Sequence, residues 1–321
     1  MFATAAQSTF NRIGGQFSQA FLNQPFRKES GDNSVVLSSS GNLYRLEGIL
    51  GMGGLSVVYR ATRFSDGEAV ALKIANLRKA PEAGALLQRE AELLGQLNHR
   101  HIVKMFDHGF TADGDPFIAM ELLKGQTLEQ LLVTKSNLDL ARVSKICLQV
   151  AEAVQYVHEQ GILHRDIKPG NIMLIEENGE EKAVIYDFGI SLTVGEDGTS
   201  YDETSSGSLL YASPEQLSEE GCSYYTDVYQ LALVMFEALT GRLPFEISVA
   251  GALNYRRGQG PLLLSDEELG EQKLHTEVRN LLEEALERDP QRRTRDMRSF
   301  IQKLQDAVCQ PLNWSLCANA V

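Results

Sequence analysis

The densest chemistry in the chain lies in His164-Arg165-Asp166-Ile167-Lys168-Pro169-Gly170-Asn171, where an acid, a base candidate, cations and an amide fall within one short run bounded by Pro and Gly. Such density in a loop points to catalysis. Further on, Asp187-Phe188-Gly189 closes the strand-like run Val184 to Tyr186 and puts a second carboxylate at a strand end. Asn171 and Asp187 together supply oxygen ligands of the kind that a magnesium ion takes. A capping Asp or a turn Asn would account for any one of these residues, but not for all of them at this spacing.

Two more charged residues need partners. Along Val70-Ala71-Leu72-Lys73-Ile74-Ala75, strand alternation places Lys73 on the face of Ala71 and Ala75, opposite Val70, Leu72 and Ile74. An exposed lysine is the plain alternative. Yet a helix follows in which Leu87, Glu90, Leu94 and Leu97 recur at three- and four-residue steps, which sets the Glu90 carboxylate inside an apolar stripe. Pairing Lys73 with Glu90 satisfies both charges. Upstream, Gly51-Met52-Gly53-Gly54 separates two strand signals, so the glycines allow a tight hairpin whose backbone can approach a phosphate. By itself that run is better explained as an ordinary Gly-rich hairpin. A Rossmann turn is excluded because no helix follows, and a Walker loop because no Gly-Lys-Ser/Thr is present.

The elements that must hold these groups divide at Lys124-Gly125. Before it come β-type runs at Tyr44 to Gly51, Val57 to Ala61 and Ala69 to Ala75, then the helix carrying Glu90, then runs near Ile102 to Asp107 and Pro116 to Leu122. After it come long helices: Val143, Ile146, Val150, Val154 and Val157 mark an amphipathic one, and Val228 to Leu239 is apolar nearly all round, as a buried helix would be. The expected class is α+β, with a small antiparallel sheet and one main helix in a first lobe (42–122) and a larger, mainly helical second lobe (123–308). Residues 1–41 read as a flexible flank and 309–321 as a tail.

Composition narrows the partners. A net charge of -13 over 321 residues repels phosphate backbones, so nucleic acid is a poor partner. The apolar stretch around Leu231 to Leu239 is about half of the ~20 residues that a bilayer span needs, and Met1 to Ala20 has no apolar signal core, so no membrane insertion is expected. Cys147, Cys222, Cys309 and Cys317 are scattered and form no C-x-x-C pair, which suits reduced thiols in the cytoplasm.

These motifs, in this order and spacing from Gly51 to Arg293, resemble the protein kinase superfamily, and specifically its serine/threonine branch of the bacterial type. The resemblance implies ATP and Mg²⁺ as the reacting pair and serine or threonine hydroxyls of protein substrates as acceptors. It implies that Gly51, Met52, Gly53 and Gly54 cover the phosphates, that Lys73, paired to Glu90, holds the α- and β-phosphates, and that Asn171 and Asp187 bind the metal. Asp166 would be the catalytic base, with Lys168 beside it marking the Ser/Thr branch. Val58, Ala71 and Met173 would sandwich the adenine, Met120 would be the gatekeeper, and Glu121 and Leu123 would supply hinge backbone groups. Glu215 would pair with Arg293, and Asp227 would brace the catalytic loop. Arg165 implies activation by a phosphate in the loop between Gly189 and Gly207, Thr204 first among the acceptors, with self-association for autophosphorylation in trans. Ser56, Ser208, Ser213 and Ala232 depart from the family pattern, and none removes a catalytic group. A pseudokinase scaffold would lack Lys73, Asp166 or Asp187; a small-molecule kinase would not be expected to carry Ser213-Pro214-Glu215.

Overall fold

In Ala69–Ala75, Val70, Leu72 and Ile74 are buried on one face while Lys73 stands on the other, as period-two alternation requires. This strand belongs to a computed structural model that describes residues 35–77, 80–188, 192–193, 210–218, 221–245 and 275–308. The chain divides into two units, one of residues up to Gly95 together with Met105–Leu122, the other of Gln96–Lys104 with the residues from Leu123 on.

The first unit is built on strands β1 (Val35–Ser38), β2 (Leu43–Met52), β3 (Ser56–Arg63), β4 (Ala69–Ala75), β5 (Met105–Phe110) and β6 (Pro116–Glu121), closed as a barrel in the order β1-β2-β3-β4-β6-β5. Its interior holds Val36, Tyr44, Ala61, Val70, Leu72, Ile74, Phe117 and Ala119. Helix α1 (Ala83–Leu94) packs on β4, β5 and β6 and buries Leu87, Glu90, Ala91 and Leu94.

The second unit carries β7 (Gly125–Thr127), α2 (Leu128–Thr134), α3 (Leu140–Glu159), β8 (Ile162–Leu163), β9 (Ile172–Glu177), β10 (Glu180–Ile185), β11 (Leu192–Thr193), α4 (Pro214–Ser218), α5 (Tyr224–Thr240), α6 (Thr276–Ala285) and α7 (Met297–Val308). Local chemistry sets the ends. Thr127 and Gln130 form a reciprocal capping box on α2, and Asp139 caps α3 by accepting the N–H of Arg142. Gly241 ends α5 at φ 72°, where an added Cβ would lie 2.1 Å from the carbonyl oxygen of Ser136, so no other residue fits. Val143, Ile146, Val150, Val154 and Val157 are all buried along α3, and α5 is buried from Thr226 to Thr240. Among the described residues no helix is long and apolar enough to cross a membrane.

Three details differ from the sequence reading. Strand β1 lies inside the stretch read as flank and closes the barrel by pairing with β2 and β5; Val35-Val36-Leu37 is too short a run to show a period. Helix α1 stops at Gly95, so Leu97 lies beyond the stripe. Strand β5 begins at Met105, and Ile102 instead forms a parallel bridge to Ile185. Residues 1–34, the tail 309–321 and the loop acceptors Thr199, Ser200, Thr204, Ser205 and Ser206 lie outside the described residues, as does the side chain of Thr193.

Candidate active site

In the first unit, strand register groups several of the candidate residues. Antiparallel pairing sets Val58 opposite Lys73, and Ala71 opposite Met120, so these side chains share the face of β3, β4 and β6 that turns away from the barrel interior. From that face Lys73 reaches α1, where its Nζ donates to both oxygens of Glu90 at 2.8 and 2.6 Å. Only 11% of the lysine side chain and 2% of the glutamate are exposed. A carboxylate this deeply buried would be costly alone, and the ammonium offsets that cost. Glu121 is exposed at the end of β6, opposite Val70.

Between β2 and β3 the turn is closed by the Gly53 N–H, which donates to the carbonyl of Ser56 at 2.8 Å. None of Gly51, Gly53 and Gly54 has a positive φ, and an added Cβ would meet nothing within 4 Å at Gly51 or Gly54 and only ordinary contact at Gly53. Neither backbone conformation nor packing inside the chain demands glycine here. A backbone without side chains is one that a bound group could approach closely. Met52 is exposed at the same tip.

The second unit holds candidate residues of its own. A hairpin of β9 and β10, turning at Asn178 and Gly179 with φ of 55° and 81°, pairs Ile172 with Ile185. That register brings the residue before β9 beside the residues after β10: the Tyr186 N–H donates to the carbonyl of Asn171 at 3.1 Å. Asn171 and Asp187 therefore arrive at one end of one hairpin. Asp187 takes φ 67°, a conformation uncommon for a residue with a side chain. Phe188 is buried against the His164 ring, 4.6 Å between centroids. Met173 faces Val184 and Thr127 from its neighbouring strands, and Leu123 is half-buried just ahead of β7.

Among the described residues, the Asp166 carboxylate is held on one oxygen. Lys168 Nζ donates to its Oδ2 at 2.6 Å and Asn171 Nδ2 to the same oxygen at 2.9 Å, with a further bond from Asn171 Nδ2 to the Asp166 carbonyl at 2.8 Å. Oδ1 accepts no hydrogen bond among the described residues. Because the Asn171 nitrogen serves Asp166, its carbonyl oxygen is what remains for a cation. With the Asp187 carboxylate, the donor set is all oxygen, which fits Mg²⁺ and not a soft metal.

Below the loop lies Asp227. Its Oδ2 accepts the His164 N–H at 2.9 Å and pairs with His158 Nε2 at 2.7 Å, while Oδ1 accepts the Arg165 N–H at 2.7 Å. Burial opposes the charge, but His158 and these N–H donors outweigh it and hold the carboxyl below its ordinary range. The His164 imidazole is pushed down by burial. Farther on, Arg293 grips Glu215 with two bonds, 2.8 and 3.0 Å, both groups fully buried, with Tyr225 and Tyr229 under the guanidinium. Sequence reasoning overlooked His158, Gln216 and Gln230; the one signal for Gln230 is that it follows Asp227 by three residues, so both share a helix face.

Residues 44–305 match the family described as protein kinase domain. The serine/threonine-protein kinase PknH of Mycobacterium bovis is 34% identical over 221 residues, covering 68% of this chain and 36% of PknH. For PknJ of Mycobacterium tuberculosis the identity is 33% over 256 residues, 78% of this chain and 43% of PknJ. The serine/threonine-protein kinase pkn3 of Myxococcus xanthus is 36% identical over 210 residues, 63% of this chain and 38% of pkn3. The chain thus spans well under half the length of these relatives.

Proposed function

The chain belongs to the protein kinase family, and we propose that it transfers the γ-phosphoryl group of ATP, taken with Mg²⁺, to serine and threonine hydroxyls of proteins. One observation carries the reading: Asp166 has Oδ2 anchored by Lys168 and Asn171 and Oδ1 left for an incoming hydroxyl. Asp166 accepts the hydroxyl proton as the oxygen attacks the γ-phosphorus, and the bond from that phosphorus to the β–γ bridging oxygen breaks to release ADP. Lys168, already 2.6 Å from Asp166, lies where it can steady charge building on the transferred group. Lys73, oriented by Glu90, holds the α- and β-phosphates, and the bare backbone from Gly51 to Gly54 lets N–H groups come close to them. Asn171 and Asp187 would hold the Mg²⁺, which when bound neutralises phosphate charge. Val58, Ala71, Met120 and Met173 suit the adenine ring, and the backbone of Glu121 and Leu123 its edge.

Catalysis of this kind is positioning and charge stabilisation by few groups. Autophosphorylation, with Thr204 the first acceptor and a second copy of the chain as its partner, belongs to the same reading. A scaffold that has lost transfer is disfavoured because Lys73, Asp166 and Asp187 are all present, and a small-molecule kinase because Glu215 is locked by Arg293 beneath the Ser213-Pro214 segment. Labelled γ-phosphate from ATP, offered with a generic basic protein and with free small alcohols, separates the three. Label on protein Ser and Thr supports the proposal. Label on the alcohols alone, or none under Mg²⁺, contradicts it.

A further inference from the structure

Gln230 in α5 is 1% exposed and its side-chain amide makes three hydrogen bonds. Its Oε1 accepts the N–H of Ile167 at 2.9 Å, and its Nε2 donates to the carbonyl oxygen of Arg165 at 2.7 Å. Those two groups belong to the peptide units on either side of Asp166. One side chain from a buried helix therefore fixes both peptide planes that meet at the Asp166 Cα, and with them its φ and ψ. The orientation of the amide is set by its partners, because an N–H must meet an oxygen lone pair and a carbonyl must meet an N–H.

The same Nε2 also donates to Gln216 Oε1 at 3.0 Å. Gln216 lies in α4, directly after Ser213-Pro214-Glu215; its Nε2 donates to the Arg165 carbonyl at 3.0 Å, and its Oε1 accepts the Ser213 N–H at 2.9 Å. The three groups form a closed triangle in which the Arg165 carbonyl receives two donors. Arg165 itself is held at φ 67°, a conformation that is costly for a residue with a side chain and persists only under constraint from its surroundings. Asp227 constrains the peptide before Arg165, and the two glutamines constrain the one after it. Buried amides are expensive to leave unmatched, so the network has one satisfied arrangement and resists slippage.

We infer that Gln230 is a positioning residue for the catalytic base, and that Gln216 ties the Ser213-Pro214 segment to the same peptide, so that the backbone on which a substrate would lie and the base that would deprotonate it share one register. The inference rests on the phosphoryl-transfer reading above. It assigns a role in the turnover step, not in nucleotide binding, because Gln230 acts on the backbone around Asp166.

Gln230→Leu keeps the volume and removes the clamp. The expected result is a fall in kcat of about 30-fold, in the range that small misplacements of a reacting group produce, with KM for ATP within about twofold of wild type. Gln230→Glu adds a readout that a merely structural role would not move. Its carboxyl, when protonated, can still donate to the Arg165 carbonyl, but when ionised it sets oxygen against oxygen. Its kcat relative to wild type should therefore fall as pH rises, while the unsubstituted enzyme lacks that limb. Gln216→Leu, at a half-exposed position, should lower kcat about fivefold and guards against a Gln230 variant that fails to fold. Folded variants, checked by cooperative melting, with wild-type kcat and an unchanged pH profile overturn the inference. If the unsubstituted chain transfers no phosphate, it is the function reading that fails.

Discussion

Asp227 and Arg165 lie 62 positions apart, yet Oδ1 of the one accepts the backbone N–H of the other at 2.7 Å, and Arg165 sits at φ 67° there. The loop that carries Asp166 is thus shaped by a carboxylate on α5 rather than by its own turn chemistry alone. Asp227→Ala leaves the N–H groups of His164 and Arg165, and the imidazole of His158, without their acceptor in a buried site. Each buried group left unsatisfied costs about 1–3 kcal/mol. Chemical denaturation should register a loss of about 3 kcal/mol or more, and activity should fall beyond what the unfolded fraction explains. A loss below about 1 kcal/mol would show that the loop holds itself.

Lys73 and Glu90 should behave as one unit. Lys73→Met and Glu90→Ala each lower transfer, and the double variant should be little worse than Lys73→Met alone, because the second substitution removes a partner already without its task. Multiplicative effects on kcat/KM would mean that the ion pair seen at 2.6 Å is not used in turnover.

The buried Glu237 in the last turn of α5 makes stability depend on pH. Burial, with the charge of Glu129 adding to it, pushes its carboxyl up to about 7 against the hydrogen bond that Tyr211 donates at 2.5 Å. With the folded value above the unfolded 4.5, the folded state binds the proton more tightly, so this group's contribution is full below 4.5 and lost as pH rises through about 7. Glu237→Gln removes that dependence and keeps an acceptor for Tyr211. It should be the more stable form at pH 8, by about 3 kcal/mol at most, and match wild type near pH 4.5. Equal melting temperatures at both pH values would remove Glu237 as the cause.

Arg293 and Glu215 form a fully buried pair, and Thr226 adds a hydroxyl to the same carboxylate at 2.8 Å. Removing one partner strands the other charge. Arg293→Met should cost about 3–5 kcal/mol in stability, whereas a surface pair such as Arg298 with Glu159 should cost less than about 1 kcal/mol when broken. Thermal melts of the two variants make the comparison.

What the sequence displays by itself follows from where each signal resides. Lys73 and Glu90 were legible because a charge on a small-residue strand face and a carboxylate in an apolar stripe are each costly alone, and local periodicity displays both. Asp166, Asn171 and Asp187 were legible as a set because acid, amide and second carboxylate fall close together in sequence. Strand β1 was not, since its pairing with β5 joins Leu37 to Phe110, and nothing local announces a partner so distant. Gln230 was hidden for the opposite reason: its three-residue step from Asp227 is the one local mark, and its meaning lies in peptide groups more than sixty positions earlier. The gap between Leu94 and Leu97 was a readable miss, because Gly95 is an ordinary stop signal at a helix end.

The most direct measurement is the rate of γ-phosphate transfer to protein serine and threonine by wild type and by Asp166→Asn at saturating ATP and Mg²⁺, with both proteins shown to melt cooperatively. Asn at this position can still accept a bond from Lys168 but cannot accept the hydroxyl proton. A positioned base contributes roughly 10²–10⁴-fold, so the expected result is a fall of at least about a hundredfold in kcat with nucleotide affinity little changed. A rate within about threefold of wild type would contradict the assignment of Asp166 as the base, and with it the reading of the site.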